Sequence, residues 1–202
     1  MVADNFDLPF PQYRCPSCER DLPLNEARMT VTCASHCPED DLAFVVREAK
    51  PDDRRAIEEI CDRALGETEI DAWENTFDVI DGTNLIAEVH DELAGLLSVA
   101  FYRGDLVIVL MSVYPEFQGK GLGSALLKSA AGYAREKNMS FMRVAVSNDD
   151  IPLMYFYQRH GFVIEDIAVG RLVDSAETAV AGFSGIPSRD EIHMVSPVCA
   201  DH

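Results

Sequence analysis

Apolar positions along this chain change period several times, and the changes mark out its elements. Phe44-Val-Val-Arg-Glu-Ala49 is an apolar run of strand length. Pro51-Asp-Asp then opens a helix whose Ile57, Ile60, Cys61 and Ala64 share one stripe, ending near Gly66. Trp73, Phe77 and Ile80 follow at helical spacing, which predicts a second helix over 68–81. After the turn signal Asp81-Gly82 come three β-rich runs, 84–89, 93–102 and 106–113. His90-Asp-Glu92 and Gly104-Asp105 separate them, so the three should form an antiparallel meander. Leu122, Ala125, Leu126 and Ala130 begin an amphipathic helix running to about Asn138. The strand after it, Phe141 to Val146, returns through that helix and should lie parallel to the last meander strand. Ile151 to His160 reads as a helix with Pro152 in its first turn. Phe162 to Val169 and Glu191 to Val195 are closing strands around an insertion from Asp174 to Arg189. The pattern is α+β, with no internal repeat.

The stretch with most chemistry in it is SVYPEFQGKGLGSALLK, Ser112 to Lys128. A strand ends, the chain turns sharply, and Gln118-Gly-Lys-Gly-Leu-Gly123 leads into the helix. Glycines let backbone approach a ligand closely, and a helix start offers unsatisfied N–H donors and a partial positive charge. That combination suits an anion, phosphate above all. The loop is not a Walker loop, which needs Gly-Lys-Ser/Thr after a four-residue spacer. Nor is it the dinucleotide fingerprint, because its third glycine comes one residue early.

Gln-x-x-Gly-x-Gly after a Val-x-Pro strand end resembles the pyrophosphate loop of the GCN5-related N-acetyltransferases, the GNAT family. Asn148 and then Tyr157-Gln-Arg-His-Gly161-Phe162 resemble that family's Asn…Tyr-x-Lys-x-Gly-Phe ending, with Arg159 in the lysine position. The resemblance covers about residues 44 to 196. It implies the acyl-CoA N-acyltransferase fold, in which the fourth and fifth strands splay apart and acetyl-CoA lies in the gap. By position, the backbone of Gly119, Lys120, Gly121, Leu122, Gly123 and Ser124 would bind pyrophosphate, and Gln118 would touch it or position the loop. The strand ending at Met111 to Val113 would pair with the pantetheine arm, and Asn148 would hydrogen-bond that arm or cap the next helix. Tyr157 stands at the family's general-acid position, with Tyr155 a rival on another face. Glu116, Asp105 and Glu74 are candidate bases, none favoured. The region 68–81 walls the acceptor pocket in that family, and the insertion would be a loop over the acceptor site. Dimerisation is common in the family.

Residues 1–41 stand outside the resemblance. They hold Cys15-Pro-Ser-Cys18 and, fourteen residues later, Cys33-Ala-Ser-His36-Cys37. Paired clusters of this kind suit one tetrahedral structural zinc, held by Cys15, Cys18 and Cys33 with Cys37, or with His36 as the fourth ligand. Disulfides are the other use of such spacing. A segment this short and this polar needs a metal or a crosslink to hold a fold. The expected organisation is therefore a zinc-knuckle segment, 1–41, and an acetyltransferase domain, 42–202.

Charge changes the picture once. Acidic residues number 35 against 17 basic, a net charge of −18. Such a surface resembles that of proteins adapted to high internal salt. Nucleic acid, which needs a basic face, is not an expected partner. No run approaches membrane-spanning length, and the amino terminus has no signal-peptide pattern. A cytoplasmic acetyl-CoA-dependent N-acetyltransferase acting on an amine is the expected function. The alternative is a non-catalytic acyl-CoA-binding module whose zinc segment docks a partner.

Overall fold

The structure, a computed structural model, describes residues 42–173, 182 and 185–198, with four two-residue strands nearer the amino terminus. The chain divides into two compact units, Met1–Ala43 and Phe44–His202. In the first, Tyr13–Arg14 pairs antiparallel with Asp21–Leu22, and Leu24–Asn25 with Thr30–Val31. Cys15, Cys18, Cys33, His36 and Cys37, the expected zinc ligands, lie outside the described residues.

The second unit is built on one mixed sheet. Its elements are β1 (Val45–Glu48), α1 (Arg54–Ala64), β2 (Glu69–Ala72), β3 (Asn75–Asp78), β4 (Thr83–Val89), β5 (Glu92–Tyr102), β6 (Asp105–Val113), α2 (Leu122–Glu136), β7 (Phe141–Ser147), α3 (Ile151–Arg159), β8 (Val163–Ala168) and β9 (Glu191–Pro197). The sheet runs β8-β9-β7-β6-β5-β4-β1. Every neighbouring pair is antiparallel except β6 and β7, which are parallel because α2 carries the chain back between them.

Both faces of the sheet are covered, so its central strands are apolar on both sides. On one face, Ile57, Ile60 and Cys61 of α1 pack with Val79, Ile86, Leu96 and Leu110. On the other, α2 buries Leu122, Leu126, Leu127, Ala130 and Ala134. Gly95 of β5 lets that helix settle, since a Cβ there would meet Leu126 at 3.3 Å. Gly123 does the same between helices, lying about one carbon from the Phe156 ring of α3.

One expected element is corrected. The predicted helix over 68–81 is the hairpin β2–β3, with Ala72 paired to Asn75. Trp73 and Glu74 form its two-residue turn with φ of 48° and 60°, left-handed at both positions, the type I′ geometry that matches strand twist. Helical spacing of Trp73, Phe77 and Ile80 misleads because the same positions serve a hairpin. Ala72 and Phe77 point together onto Val107 of the sheet, and Trp73 caps the turn beside them. A β-branched content of Ile70, Thr76, Val79 and Ile80 favours strand. No helix among the described residues is long and apolar enough to cross a membrane.

Candidate active site

The site begins where two strands stop pairing. β6 and β7 share three rungs, Leu106↔Met142, Val107↔Arg143 and Ile108↔Val144. At Val109 the register of β6 against β5 shifts, an irregularity of the bulge kind that turns a strand away from its neighbour. Beyond it, residues 110–113 of β6 pair on the β5 side alone, which leaves backbone groups facing a gap.

A cavity of about 600 Å³ opens there, on the α2–α3 face. Met111, Val113, Gln118, Gly119, Gly121, Leu122, Gly123 and Ser124 all line it, as expected from the glycine-rich loop. Gly119 and Gly121 hold φ of 75° and 89°, and a Cβ at either would meet nothing within 4 Å, so the backbone is bare toward the cavity. The N–H groups of Gly119 to Ser124 have no acceptor among the described residues, and no side chain caps α2. Six free donors at a helix start are the groups an anion would need. Gln118 does the positioning: its Nε2 donates to the Val113 carbonyl at 2.9 Å and ties the loop to the end of β6. Lys120 is exposed and off the cavity wall.

From α3 come Tyr155, the rival acid of the sequence reading, Phe156 and Arg159, with His160 just after it; Phe156 and His160 had no role assigned from sequence. His160 joins the two helices, its Nδ1 donating to the Phe156 carbonyl at 2.8 Å and its Nε2 accepting from the Ser124 hydroxyl at 3.0 Å. Arg159 lies over the Tyr155 ring, 5.6 Å from its centroid, and brings the fixed positive charge to this wall. The signal for it was present, since Arg159 occupies the motif's basic position.

Two predicted residues sit elsewhere. Asn148 is not on the wall. Its amide donates to the Pro187 carbonyl and accepts from the N–H groups of Arg189 and Asp190, so it anchors the segment leading into β9. The helix cap is Asp150 instead, accepting from Leu153 N–H at 3.0 Å. Tyr157 is buried against Phe156 and Phe162, and burial raises its phenol well above the ordinary tyrosine range. No hydrogen bond engages its hydroxyl among the described residues, and that oxygen is not sealed from solvent.

On the opposite face lies a second cavity of similar volume, about 600 Å³. Trp73 and Glu74 of the hairpin turn, Tyr102 and Arg103, and Glu191 and His193 of β9 line it with Asp105, Arg143, Glu165 and Asp166. Two of the candidate bases, Asp105 and Glu74, are therefore here. Arg143 occupies Asp105 at 2.6 Å and also pairs with Glu165. Glu116 sits in the turn after β6 and lines neither cavity.

Among known proteins, the acetyltransferase (GNAT) family model matches residues 45–162. Streptothricin acetyltransferase of Streptomyces lavendulae is 34% identical over 73 residues, 35% of this chain and 39% of that protein. A GNAT family acetyltransferase from Elizabethkingia anophelis, solved with acetyl-CoA bound, superposes with a TM-score of 0.58 at 21% identity, covering 78% of this chain and 99% of that one. The ribosomal-protein-S18-alanine N-acetyltransferase from Escherichia coli superposes with a TM-score of 0.58 at 16% identity, covering 79% and 97%.

Proposed function

The chain belongs to the acetyltransferase (GNAT) family, and on that premise we propose that it moves an acetyl group from acetyl-CoA to a primary amine by direct attack. One observation carries the reading: a cradle of unpartnered N–H groups and an unpaired strand edge border the same cavity. When bound, acetyl-CoA supplies an activated thioester and phosphates that need neutralising. The residues present fit it. Gly119 to Ser124 meet pyrophosphate with backbone donors, and Arg159 adds positive charge in a protein of net charge −18. Met111 to Val113 pair with the amide-bearing arm as an added strand would. Backbone N–H groups at the parting receive the carbonyl oxygen as it gains charge.

Tyr157 donates to the departing sulfur. Burial keeps its phenol protonated at working pH, and its hydroxyl makes no hydrogen bond among the described residues. The amine enters from the Trp73 cavity on the far face of the sheet. An acyl-cysteine route has no support, since Cys61, the free cysteine among the described residues, is fully buried in the α1 core.

Acceptor class is tested with three amines. Streptothricin and a peptide with a free alanine amino terminus follow from the names of the relatives. Spermidine tests whether the acidic surface selects a polycation. The cofactor is tested by calorimetric titration of acetyl-CoA into wild type and Gly121→Glu. That change puts a bulky negative side chain into the cradle, at a φ of 89° that resists any side chain. Micromolar binding lost in the variant supports the reading, and no binding by folded wild type ends it. Binding without acetylation of any amine would favour the non-catalytic alternative.

A further inference from the structure

We infer that His193, oriented by Glu191, is the group that takes the proton from the acceptor amine. The inference rests on the acetyl-transfer reading and adds the base that reading lacks. β9 places the two side chains two residues apart on one face, the face carrying the β2–β3 hairpin. Glu191 is 3% exposed, and one of its oxygens accepts from the Trp73 N–H at 3.2 Å and from His193 Nε2 at 2.5 Å. An ionised carboxylate only accepts, so Nε2 is the protonated nitrogen and Nδ1 keeps its lone pair. Nδ1 stands 4.0 Å from the Asp166 carboxylate, beyond hydrogen-bond reach, and His193 lines the cavity.

The ring is also held in place. Trp73 lies against it with centroids 5.6 Å apart, and the Tyr102 hydroxyl donates to the Trp73 carbonyl at 3.1 Å. Register puts His193 opposite Ala145, one residue past the last rung between β6 and β7. The backbone of His193 therefore lies one strand, ~5 Å, from the strand that borders the parting. Of the charged groups around it, Arg143 is spent on Asp105 and Glu165. Glu74, Asp166, Arg103 and Arg171 share the cavity wall, so carboxylates outnumber arginines there and the surroundings favour an imidazole that gains a proton.

In the step, the amine nitrogen bonds to the thioester carbonyl carbon and its proton passes to His193 Nδ1. The carbon–sulfur bond breaks, and the sulfur leaves with the bonding pair and takes the Tyr157 proton, giving the thiol. His193 releases the amine's proton to solvent, and Tyr157 regains one from solvent, so both groups are reset.

Two readouts test this: acetylation of streptothricin, spermidine and the alanine-terminated peptide, and tryptophan emission. Trp73 is the only tryptophan in the chain, so emission reports on the ring stacked against His193. His193→Gln should lower kcat by about 10²–10³ with acetyl-CoA affinity unchanged. The deficit should shrink as pH approaches ~10, where an amine arrives already neutral. The same variant should also shift Trp73 emission, because the ring stacked against the indole is replaced. Glu191→Gln, which keeps the shape but loses the charge, should cost about tenfold and serves if His193→Gln does not fold. A His193→Gln kcat within twofold of wild type overturns the proposal, as does an equal loss at every pH. So does acetyl-CoA binding without acetylation of any of the three amines. Failure of wild type to bind acetyl-CoA overturns the cofactor reading instead, so the two failures are told apart.

Discussion

Tyr157 shows how one side chain can meet two demands. Its ring belongs to the core, packed between Phe156 and Phe162, while its hydroxyl makes no hydrogen bond. A hydroxyl that makes no protein hydrogen bond adds little to stability, so folding alone does not explain its presence. Tyr157→Phe should leave thermal stability within about 0.5 kcal/mol of wild type while kcat falls about 10²-fold. Thermal unfolding beside steady-state kinetics checks both halves. Parallel losses in stability and activity would mean that the ring, not the hydroxyl, matters. At Asn148 the motif position is kept but the amide is spent on Pro187, Arg189 and Asp190. A motif locates a residue in sequence; which partner its side chain reaches is settled by what folds against it.

At the level of elements, the β2–β3 hairpin is where expectation and structure part. Apolar residues at i, i+4 and i+7 satisfy a helix, and a tight hairpin presents Trp73, Phe77 and Ile80 equally well. Local chemistry does not signal the turn, because Trp73 and Glu74 are poor residues for left-handed φ. Tertiary contact must offset that strain, with Ala72 and Phe77 set on Val107 and the Trp73 N–H bonded to Glu191. Glu74→Gly should relieve part of it and stabilise the protein by about 0.5–1 kcal/mol, read from chemical denaturation. Loss of stability instead would show that the Glu74 carboxylate has a partner of its own. The other elements were legible because their signals are strong: an apolar run between turn residues, or a stripe opened by a proline. The predicted strand that follows α2 does lie parallel to β6, since a helix crossover permits little else.

For the whole molecule, the balance of acid groups sets pH behaviour. Arg47 bridges β1 to β4 and α1, donating to both oxygens of Asp53 at 2.7 and 2.9 Å and pairing with Glu88. The Arg47 guanidinium, with the Lys50 N–H, lowers the Asp53 carboxyl to about 2. A depressed carboxylate contributes stability that is present above its unfolded value, ~4, and lost as pH falls toward the folded one. Asp53→Asn should therefore cost about 1 kcal/mol at neutral pH, the half-exposed setting limiting the gain. The gap between variant and wild type should close from about pH 4 to pH 2. Denaturant titrations at several pH values decide it, and a gap constant with pH would mean that shape rather than charge is lost.

The sequence by itself determined the meander, the two helices around it, the parallel return strand and the glycine-rich loop. Each is written in local signals: period, turn residues, and glycines where backbone must be bare. Those same signals located the row of unpartnered N–H groups, because a helix start and its donors are local structure. Tertiary structure alone decided the rest. It showed that Gln118 secures the loop to β6, that Arg159 and His160 complete the wall, and that Asn148 serves the segment before β9. It also put Trp73, Glu191 and His193 together across 118 residues of chain. No spacing rule connects a hairpin turn to a closing strand, since their contact exists only once the sheet has brought both to one face.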